Sequence, residues 1–246
     1  MFSNIFMTKK NKNIAFNSDQ VKDFWDKRAL KVKNSRIEGL SNLEEDSNLL
    51  ELKINSEAKK VMEWIQPISK KSKILDLGSG TGQWSFRFSK LVNEITAVEY
   101  SEGMYDIAVK ESKLRDISNI KFVCQSAQKF LSSQKYRLIW ISGLLIYMTD
   151  SECESLLSNC QKMTDQKSVI LLRDATGVLN RHEIRNKYSE DLDDYYSATY
   201  RTATGYRNIF KKFGFSLIRD EDMFPENSPL NKWKETRLRL YKFKKL

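Results

Sequence analysis

Histidine, cysteine and proline are scarce in this chain. It has one histidine, three cysteines and three prolines in 246 residues. Cys124, Cys153 and Cys160 are odd in number and form no C-x-x-C pair, so their spacing predicts neither a disulfide framework nor a zinc site. We expect three free thiols and no bound metal.

Long apolar runs are also absent from the sequence. No stretch approaches the roughly 20 apolar residues that a membrane-spanning helix needs. The first residues carry charge soon after a short apolar start, without the small-residue cleavage pattern of a secretory signal. These features predict a soluble, cytoplasmic protein with no membrane partner.

The composition indicates one folded domain with a basic surface. Hydrophobic residues make up 40% of the chain and aromatic residues 11%, which is ordinary for a chain that buries a core. The formal net charge of +10 favours anionic partners. Because the lysines and arginines are spread along the chain, and do not alternate with aromatic residues in one stripe, a solvated surface explains them better than a nucleic-acid interface.

A glycine-dense turn is the most informative segment. The run Lys73-Ile-Leu-Asp-Leu-Gly-Ser-Gly-Thr-Gly82 is a strand pattern that leads into three glycines. Glycine has no Cβ, so the chain can adopt positive φ there and bring backbone N–H groups against a ligand. A second strand pattern ends in Glu99, about twenty residues further on, where a nucleotide-binding βαβ unit places its ribose-binding acid. Together the two signals predict a nucleotide-type ligand site.

The residues after the turn separate two ligand classes. The dinucleotide pattern G-x-G-x-x-G requires glycine at position 83, but Gln83 and then Trp84 stand there. The turn resembles instead motif I of the class I S-adenosylmethionine-dependent methyltransferases. Three further segments resemble the same family: Glu99-Tyr-Ser-Glu-Gly-Met104, Phe122-Val-Cys-Gln-Ser-Ala-Gln128, and Tyr136-Arg-Leu-Ile-Trp-Ile-Ser-Gly-Leu-Leu-Ile-Tyr147.

This resemblance implies S-adenosylmethionine as the methyl donor and S-adenosylhomocysteine as its product. It implies that Asp76 and the glycine turn hold the methionine portion, that Glu99 accepts from the ribose hydroxyls, and that Met104 packs on adenine. Many relatives carry an aspartate where this chain has Ser126, so Ser126 or Gln128 replaces that contact. The implied donor-site residues are Asp76, Gly78, Ser79, Gly80, Gly82, Glu99, Tyr100, Met104, Ser126, Ala127 and Ser142, with Trp25 and Arg28 from an N-terminal helix.

Strand and helix patterns alternate along the rest of the chain, which is typical of a mostly parallel sheet with helices on both faces. Strands are predicted near Lys73–Leu77, Ile95–Glu99, Ile120–Cys124, Leu138–Ile141, Val169–Arg173, Ser216–Asp220 and Thr236–Phe243. Helices are predicted at Ser56–Trp64 and from near Ser18, Gly82, Glu102, Ala127, Asp150 and Thr202.

The predicted fold is therefore α/β, a Rossmann-like, doubly wound sheet of seven strands. The resemblance implies that its last strand is antiparallel, and the alternation of Leu238 and Leu240 with arginines favours an edge position for it. The predicted organisation is a mobile N-terminus over residues 1–17, a helical lid over residues 18–66 and a donor-binding methyltransferase domain over residues 67–246.

Candidate catalytic residues follow the fourth and fifth strands. His182 and Asp174 are alternatives for a general base, and Tyr147 is positioned to contact either substrate. A base is optional, because methyl transfer from a sulfonium needs mainly alignment and removal of water.

The predicted acceptor is a small, polar and anionic molecule that is methylated on oxygen or nitrogen. Arg173, Tyr200 and Arg201 supply guanidinium and hydroxyl donors that suit a phosphate or carboxylate, so a phosphate- or nucleotide-linked sugar is the first acceptor to test. Solvated arginines beside a helix capped by Thr202 explain the same residues equally well.

Two alternatives stay open. The net charge suits an RNA methyltransferase, but Pro67, Pro225 and Pro229 form neither the Pro-Pro-aromatic motif nor the Pro-Cys nucleophile common among base-modifying relatives. The second alternative is a non-catalytic S-adenosylmethionine-binding partner subunit, since the glycine turn predicts donor binding and not turnover. The sequence leaves the acceptor atom and the oligomeric state undetermined.

Overall fold

The computed structural model describes residues 18–30, 46–65, 67–189 and 194–246. The mobile N-terminus predicted for residues 1–17, and the part of the predicted lid over residues 31–45, lie outside the described residues. The helices are α1 (Ser18–Leu30), α2 (Ser47–Trp64), α3 (Gln83–Ser89), α4 (Glu102–Leu114), α5 (Asp150–Lys162) and α6 (Ala203–Lys212). The strands are β1 (Lys73–Leu77), β2 (Glu94–Glu99), β3 (Ile120–Cys124), β4 (Leu138–Ser142), β5 (Val169–Gly177), β6 (His182–Ser189), β7 (Asp194–Tyr200), β8 (Phe215–Asp222) and β9 (Thr236–Lys245).

Seven strands form one sheet in the order β3-β2-β1-β4-β5-β9-β8. Strands β1 to β5 pair in parallel, and β9 pairs antiparallel with both β5 and β8. The predicted Rossmann-like sheet with an antiparallel last strand is confirmed. The strand order reverses between β1 and β4, which is where open α/β sheets bind their ligands.

The predicted edge position of the last strand is wrong. β9 lies between β5 and β8, and β8 forms that edge of the sheet. The two arginines that suggested solvent exposure both have partners. The Arg239 guanidinium donates hydrogen bonds to Asp220 and Asp222 of β8. The Arg237 guanidinium donates to carbonyl oxygens of Trp233 and Thr236.

Apolar layers cover both faces of the sheet. On one face, Leu75, Ile139 and Leu172 pack with residues of α5 and α6, and on the other, Ile74 and Trp140 pack with residues of α2 and α3. Each such side chain that is removed from water contributes about 1.5–3 kcal/mol to stability. This burial fixes the strands whose ends carry the site.

Four elements differ from the sequence predictions. The predicted helix at Ala127 is a single 3-10 turn, Ala127–Lys129. Helix α2 begins nine residues before the predicted Ser56, because the Asp46 carboxylate caps it by accepting from the N–H groups of Asn48 and Leu49. Strands β6 and β7, which form a separate antiparallel hairpin, were not predicted.

The described helices include none that is long and apolar enough to cross a membrane.

Candidate functional site

A cavity of about 420 Å³ opens at the carboxyl ends of β1, β2, β4 and β5. The glycine turn and the starts of α3 and α4 form its donor half, and the ends of β4 and β5 form its other half. Helices α1 and α2, strand β7 and the segment between β8 and β9 also contribute side chains to its wall. The cavity therefore lies at the reversal of strand order, as the sequence predicts for the ligand site.

The three glycines of the turn serve different purposes. All have positive φ, at 73° for Gly78, 54° for Gly80 and 83° for Gly82. A Cβ on Gly78 would lie 3.1 Å from Leu144, and one on Gly82 would lie 2.9 Å from the ring of Phe86. A Cβ on Gly80 would meet nothing within 4 Å, so the backbone at Gly80 is open to a ligand.

Glu99 links the turn to the start of α4. One carboxylate oxygen accepts a hydrogen bond from the Gly80 N–H at 2.7 Å, and the other accepts from the N–H groups of Tyr100 and Ser101 at 2.8 Å each. Burial raises the pKa of this carboxyl, and the three N–H donors oppose the rise. Because each carboxylate oxygen can accept more than one hydrogen bond, Glu99 can still accept from a ligand in the cavity that it lines.

Asp76 lies behind the cavity wall and is not among the residues that line it. Its buried carboxylate accepts from the Ser85 hydroxyl at 2.6 Å, which ties the end of β1 to the first turn of α3. Burial raises the pKa of Asp76 to about 7, and the nearby Glu99 adds to this rise. The geometry gives Asp76 a positioning role for the turn.

The donor half contains hydroxyl groups that are buried and unpaired. The side-chain oxygens of Ser79, Thr81 and Ser126 have no hydrogen-bond partner among the described residues. Ser79 and Thr81 line the cavity, and Ser126 lies buried beside Ala127, which lines it too. A buried polar group without a partner costs about 1–3 kcal/mol, so this cradle fits a ligand that supplies polar atoms.

Helix α1 covers the donor half. The Asp26 carboxylate accepts from the Ser101 hydroxyl at 2.5 Å and from the Gly103 N–H at 3.2 Å, which docks α1 on the start of α4. The docked helix brings Trp25 and Arg28 to the cavity wall. The Trp25 ring also packs edge-on against Tyr147, with ring centroids 5.6 Å apart.

A cluster of tyrosines around an aspartate forms the far end of the cavity. Tyr147, Tyr196 and Tyr200 line it together with Asp174. Asp174 has no exposed surface, and burial raises its pKa to about 7. Burial also raises the pKa of Tyr147 and Tyr200 above the usual tyrosine range, so these hydroxyls stay protonated and can donate hydrogen bonds.

Arg173 lines the cavity but is already paired. Its guanidinium donates to the buried carboxylate of Glu57 at 2.5 Å and to the Ser142 hydroxyl at 3.2 Å. The pair joins α2 to the end of β5. An acceptor anion at this point would compete with Glu57, which weakens the case for Arg173 as a direct anion ligand.

The structure does not bring Arg201 to the cavity, although the sequence predicts it as an acceptor ligand. Its buried guanidinium donates to the Asp150 carboxylate at 2.7 Å and to the carbonyl oxygens of Leu145 and Met148 at 2.7 and 2.8 Å. These bonds fasten the end of β7 to the 3-10 turn that carries Tyr147. Arg201 therefore acts as a clamp beside the acceptor half.

His182 also lies outside the described cavity wall. It begins β6 with an exposed side chain, and its ring stacks on Tyr200 with centroids 6.0 Å apart. Its predicted role as a base would require the acceptor to approach from the solvent side of the hairpin.

The remaining predicted residues divide between the cavity wall and the layer behind it. Of the donor set, Trp25, Arg28, Gly78, Ser79, Gly80, Glu99, Tyr100, Met104, Ala127 and Ser142 line the cavity, while Asp76, Gly82 and Ser126 stand behind its wall. Of the acceptor set, Tyr147, Asp174, Arg173 and Tyr200 line it.

Sequence reasoning missed several wall residues. Tyr196 carries a signal, since it lies in a tyrosine-rich stretch over residues 195–206. No sequence signal marks the wall residues Glu57, Trp84 and Trp233. Each stands on an ordinary helix or connecting segment and reaches the cavity only through the packing of distant elements.

Comparisons with known proteins agree with this geometry. Residues 74–167, which contain the glycine turn, Glu99 and Tyr147, match the family model of a methyltransferase domain. Among solved structures, an S-adenosylmethionine-dependent methyltransferase from Leishmania major is 17% identical, with a TM-score of 0.65 over 92% of this chain and 82% of that one.

Two other solved structures show the same likeness in fold. Magnesium protoporphyrin IX methyltransferase from Synechocystis PCC 6803 is 14% identical, with a TM-score of 0.64 over 96% of this chain and 100% of that one. DhpI, in a complex with S-adenosylhomocysteine, is 16% identical, with a TM-score of 0.63 over 92% of this chain and 94% of that one. Residues 74–167 thus match a methyltransferase domain in sequence, and the chain shares the fold of S-adenosylmethionine-dependent methyltransferases.

Proposed function

We propose that this methyltransferase moves the methyl group of S-adenosylmethionine to an oxygen or nitrogen atom of a small, polar, anionic acceptor. One observation carries the proposal: a single cavity joins the Gly80 and Glu99 cradle to the cluster of Tyr147, Asp174 and Tyr200. A donor in the first half would direct its reactive methyl group toward the second half.

The donor half suits each part of S-adenosylmethionine. Glu99 accepts from the ribose hydroxyls, Met104 and Ala127 flank the adenine, and the Ser79 and Thr81 hydroxyls supply donors for the carboxylate of the methionine portion. Bound there, the donor supplies a methyl group that its sulfonium has already activated.

Helix α1 and the hairpin exclude water from the reaction. Trp25 of α1 and Tyr196 and Tyr200 of β7 line the same cavity. Methyl transfer is an in-line displacement, so alignment and water exclusion lower its barrier without a further cofactor. We therefore propose that α1 and α2, which lie within the lid predicted from the sequence, cover the donor.

The charge of the cavity wall supports an anionic acceptor. Cationic side chains from α1, α2, α3, β5 and the segment before β9 outnumber the acidic ones in the wall. The anionic end of the acceptor is expected near the cationic side chains of the wall. Besides Arg173, these are Lys22, Arg28, Lys53, Arg87 and Lys232. A phosphate- or nucleotide-linked sugar remains the first acceptor class to test, and the cytoplasm the proposed compartment.

Calorimetry and a product assay test the proposal. The protein is expected to bind S-adenosylmethionine and S-adenosylhomocysteine but not NAD, and to release S-adenosylhomocysteine when anionic sugars are supplied. Tight NAD binding without a response to S-adenosylhomocysteine would overturn the donor assignment.

The acceptor panel should also contain total RNA. Methylation of RNA alone would favour the nucleic-acid alternative over the small acceptor. Donor binding without turnover on any member of the panel would favour the non-catalytic partner subunit.

A further inference from the structure

We propose that Asp174 takes the proton of the acceptor during methyl transfer, and that Tyr206 of α6 is its positioning residue. This inference rests on the proposed function. It distinguishes Asp174 from His182, which the sequence leaves as an equal alternative.

The geometry places a carboxylate at the acceptor end of the cavity, with a different hydrogen-bond donor on each of its two oxygens. Asp174 directly follows the parallel part of β5 and lines the cavity. Its Oδ2 accepts from the Tyr206 hydroxyl at 3.0 Å, whereas its Oδ1 accepts from the Ala175 N–H at 3.2 Å. Since a carboxylate oxygen accepts more than one hydrogen bond, Oδ1 can also receive the acceptor's proton.

Tyr206 is built into the core as a fixed donor. It lies on α6 with no exposed surface, and its ring packs against that of Tyr241 with centroids 5.5 Å apart. Burial and the neighbouring Asp174 raise the pKa of Tyr206 well above the usual range, so it keeps its proton and orients the carboxylate. It is not part of the cavity wall and therefore acts through Asp174.

The groups around Asp174 place its pKa near neutral pH. Burial raises its pKa to about 7, and the hydrogen bond from Tyr206, the two nearby arginines and the Ala175 N–H limit this rise. A base with a pKa near the working pH combines a large carboxylate fraction with a useful proton affinity. The titratable and charged groups that face it are Tyr147, Cys153, Arg173, Tyr200, Arg201, Tyr206 and Tyr241.

The chemical step balances with these groups alone. The acceptor atom forms a bond to the methyl carbon as the carbon–sulfur bond breaks, and the electron pair of that bond stays on sulfur. The proton of the acceptor hydroxyl or amine moves to Oδ1 of Asp174. The products are the methylated acceptor, neutral S-adenosylhomocysteine and a protonated Asp174, which then releases its proton to solvent.

Carboxyl infrared spectroscopy tests the positioning role without any acceptor. Difference spectra of the S-adenosylhomocysteine-loaded protein, taken against Asp174→Asn, are expected to show Asp174 titrating near pH 7. Tyr206→Phe removes a hydrogen bond that favours the charged form, so the pKa of Asp174 should rise by about 1. Tyr241→Phe is the matched control, because this equally buried tyrosine bonds to Thr176 and should leave the titration almost unchanged.

Turnover tests the base role with the acceptor that the product assay identifies. Asp174→Asn should lower kcat by about a hundredfold or more while S-adenosylhomocysteine still binds. In Tyr206→Phe, the rising limb of the kcat profile should move to higher pH by the same amount as the infrared titration, because only the carboxylate form can accept a proton.

Full turnover by Asp174→Asn would overturn the base role. An unchanged titration in Tyr206→Phe would overturn the positioning role, whatever the activity. If no acceptor is methylated by the parent protein, the proposed function fails and the base role with it, while the infrared measurement still decides what Tyr206 does.

Discussion

At the scale of single residues, Glu99 shows how one carboxylate serves both the fold and the ligand. Its three backbone donors, on Gly80, Tyr100 and Ser101, belong to two separate loops at the ends of β1 and β2. The carboxylate therefore holds these loops at the cavity before any ligand binds. A preorganised acceptor of this kind loses little freedom when the ribose hydroxyls arrive.

Replacing Glu99 with alanine should weaken donor binding by about 2–4 kcal/mol, because two charge-assisted hydrogen bonds to the ribose are lost. Calorimetric titration with S-adenosylhomocysteine measures the change. Glu94→Ala is the matched control, since Glu94 lies on the same strand but is partly exposed and pairs with Lys73. Equal dissociation constants for Glu99→Ala and the parent protein would remove Glu99 from the donor site.

The sequence predicts donor residues better than acceptor residues, and the physical reason is local. Gly80 and Glu99 are fixed by a turn and a strand end within about twenty residues of each other, a spacing that a βαβ unit imposes. The role of Arg201 depends on Asp150 and on two backbone carbonyls about fifty residues away. No local pattern distinguishes such a buried clamp from a solvent-exposed arginine.

At the scale of elements, the docking of α1 depends on a glycine outside the glycine turn. Gly103 lies in the first turn of α4, and a Cβ there would come within 2.7 Å of the Ala29 Cβ. This close approach lets Asp26 reach the start of α4. The docked helix then presents Trp25 and Arg28 to the donor.

The variant Gly103→Ala should therefore displace α1 and lower the affinity for S-adenosylhomocysteine. Overpacking at such a contact costs about 1–3 kcal/mol, whereas alanine favours the helix itself by about 1 kcal/mol. Any loss of donor affinity thus reflects the contact and not the stability of α4. The double variant with Ala29→Gly removes the opposing methyl group and should recover binding. Failure of that recovery would mean that α1 does not dock in this way.

The hydrogen bonds of Arg201 join the end of β7 to the 3-10 turn that carries Tyr147, and this link can be tested. Arg201→Ala leaves the Leu145 and Met148 carbonyls without their donor, and should lower the free energy of unfolding by about 2–4 kcal/mol. Arg181→Ala is the control, because Arg181 binds the same Asp150 from an exposed position and should cost only about 0–1 kcal/mol. Urea denaturation compares them. Equal losses in the two variants would contradict the clamp.

The hairpin itself illustrates which elements the sequence can predict. The buried parallel strands are short apolar runs with clear ends, so the sequence pattern predicts them. Strands β6 and β7 pair only with each other, and a register shift after Ile184 places Asn186 at a φ of 45°. This irregularity interrupts the alternation of side chains that identifies a strand, so the sequence pattern predicts no hairpin there.

At the scale of the whole molecule, the seven-stranded sheet follows from the sequence, whereas the acceptor wall does not. The wall comes from α2, β7 and the segment before β9, which are brought together only when the sheet is complete. Residues such as Glu57 and Trp233 are about 180 positions apart in the chain. Their meeting is a property of the tertiary fold, and no spacing rule within the sequence encodes it.

The net charge of +10 also belongs to this scale, and it leads to the last prediction. Because the cations are distributed over the chain and the donor half lies inside a cavity to whose wall α1 and β7 contribute, RNA should contact the surface without presenting a base to the donor. Short single-stranded RNA should then bind weakly, with an affinity that falls steeply as salt rises, as counterion release requires. Fluorescence anisotropy at increasing salt measures this binding, and a radiolabelled donor measures methylation of the same RNA. RNA that binds at physiological salt and becomes methylated would show that the basic surface, and not the acceptor cavity, selects the substrate.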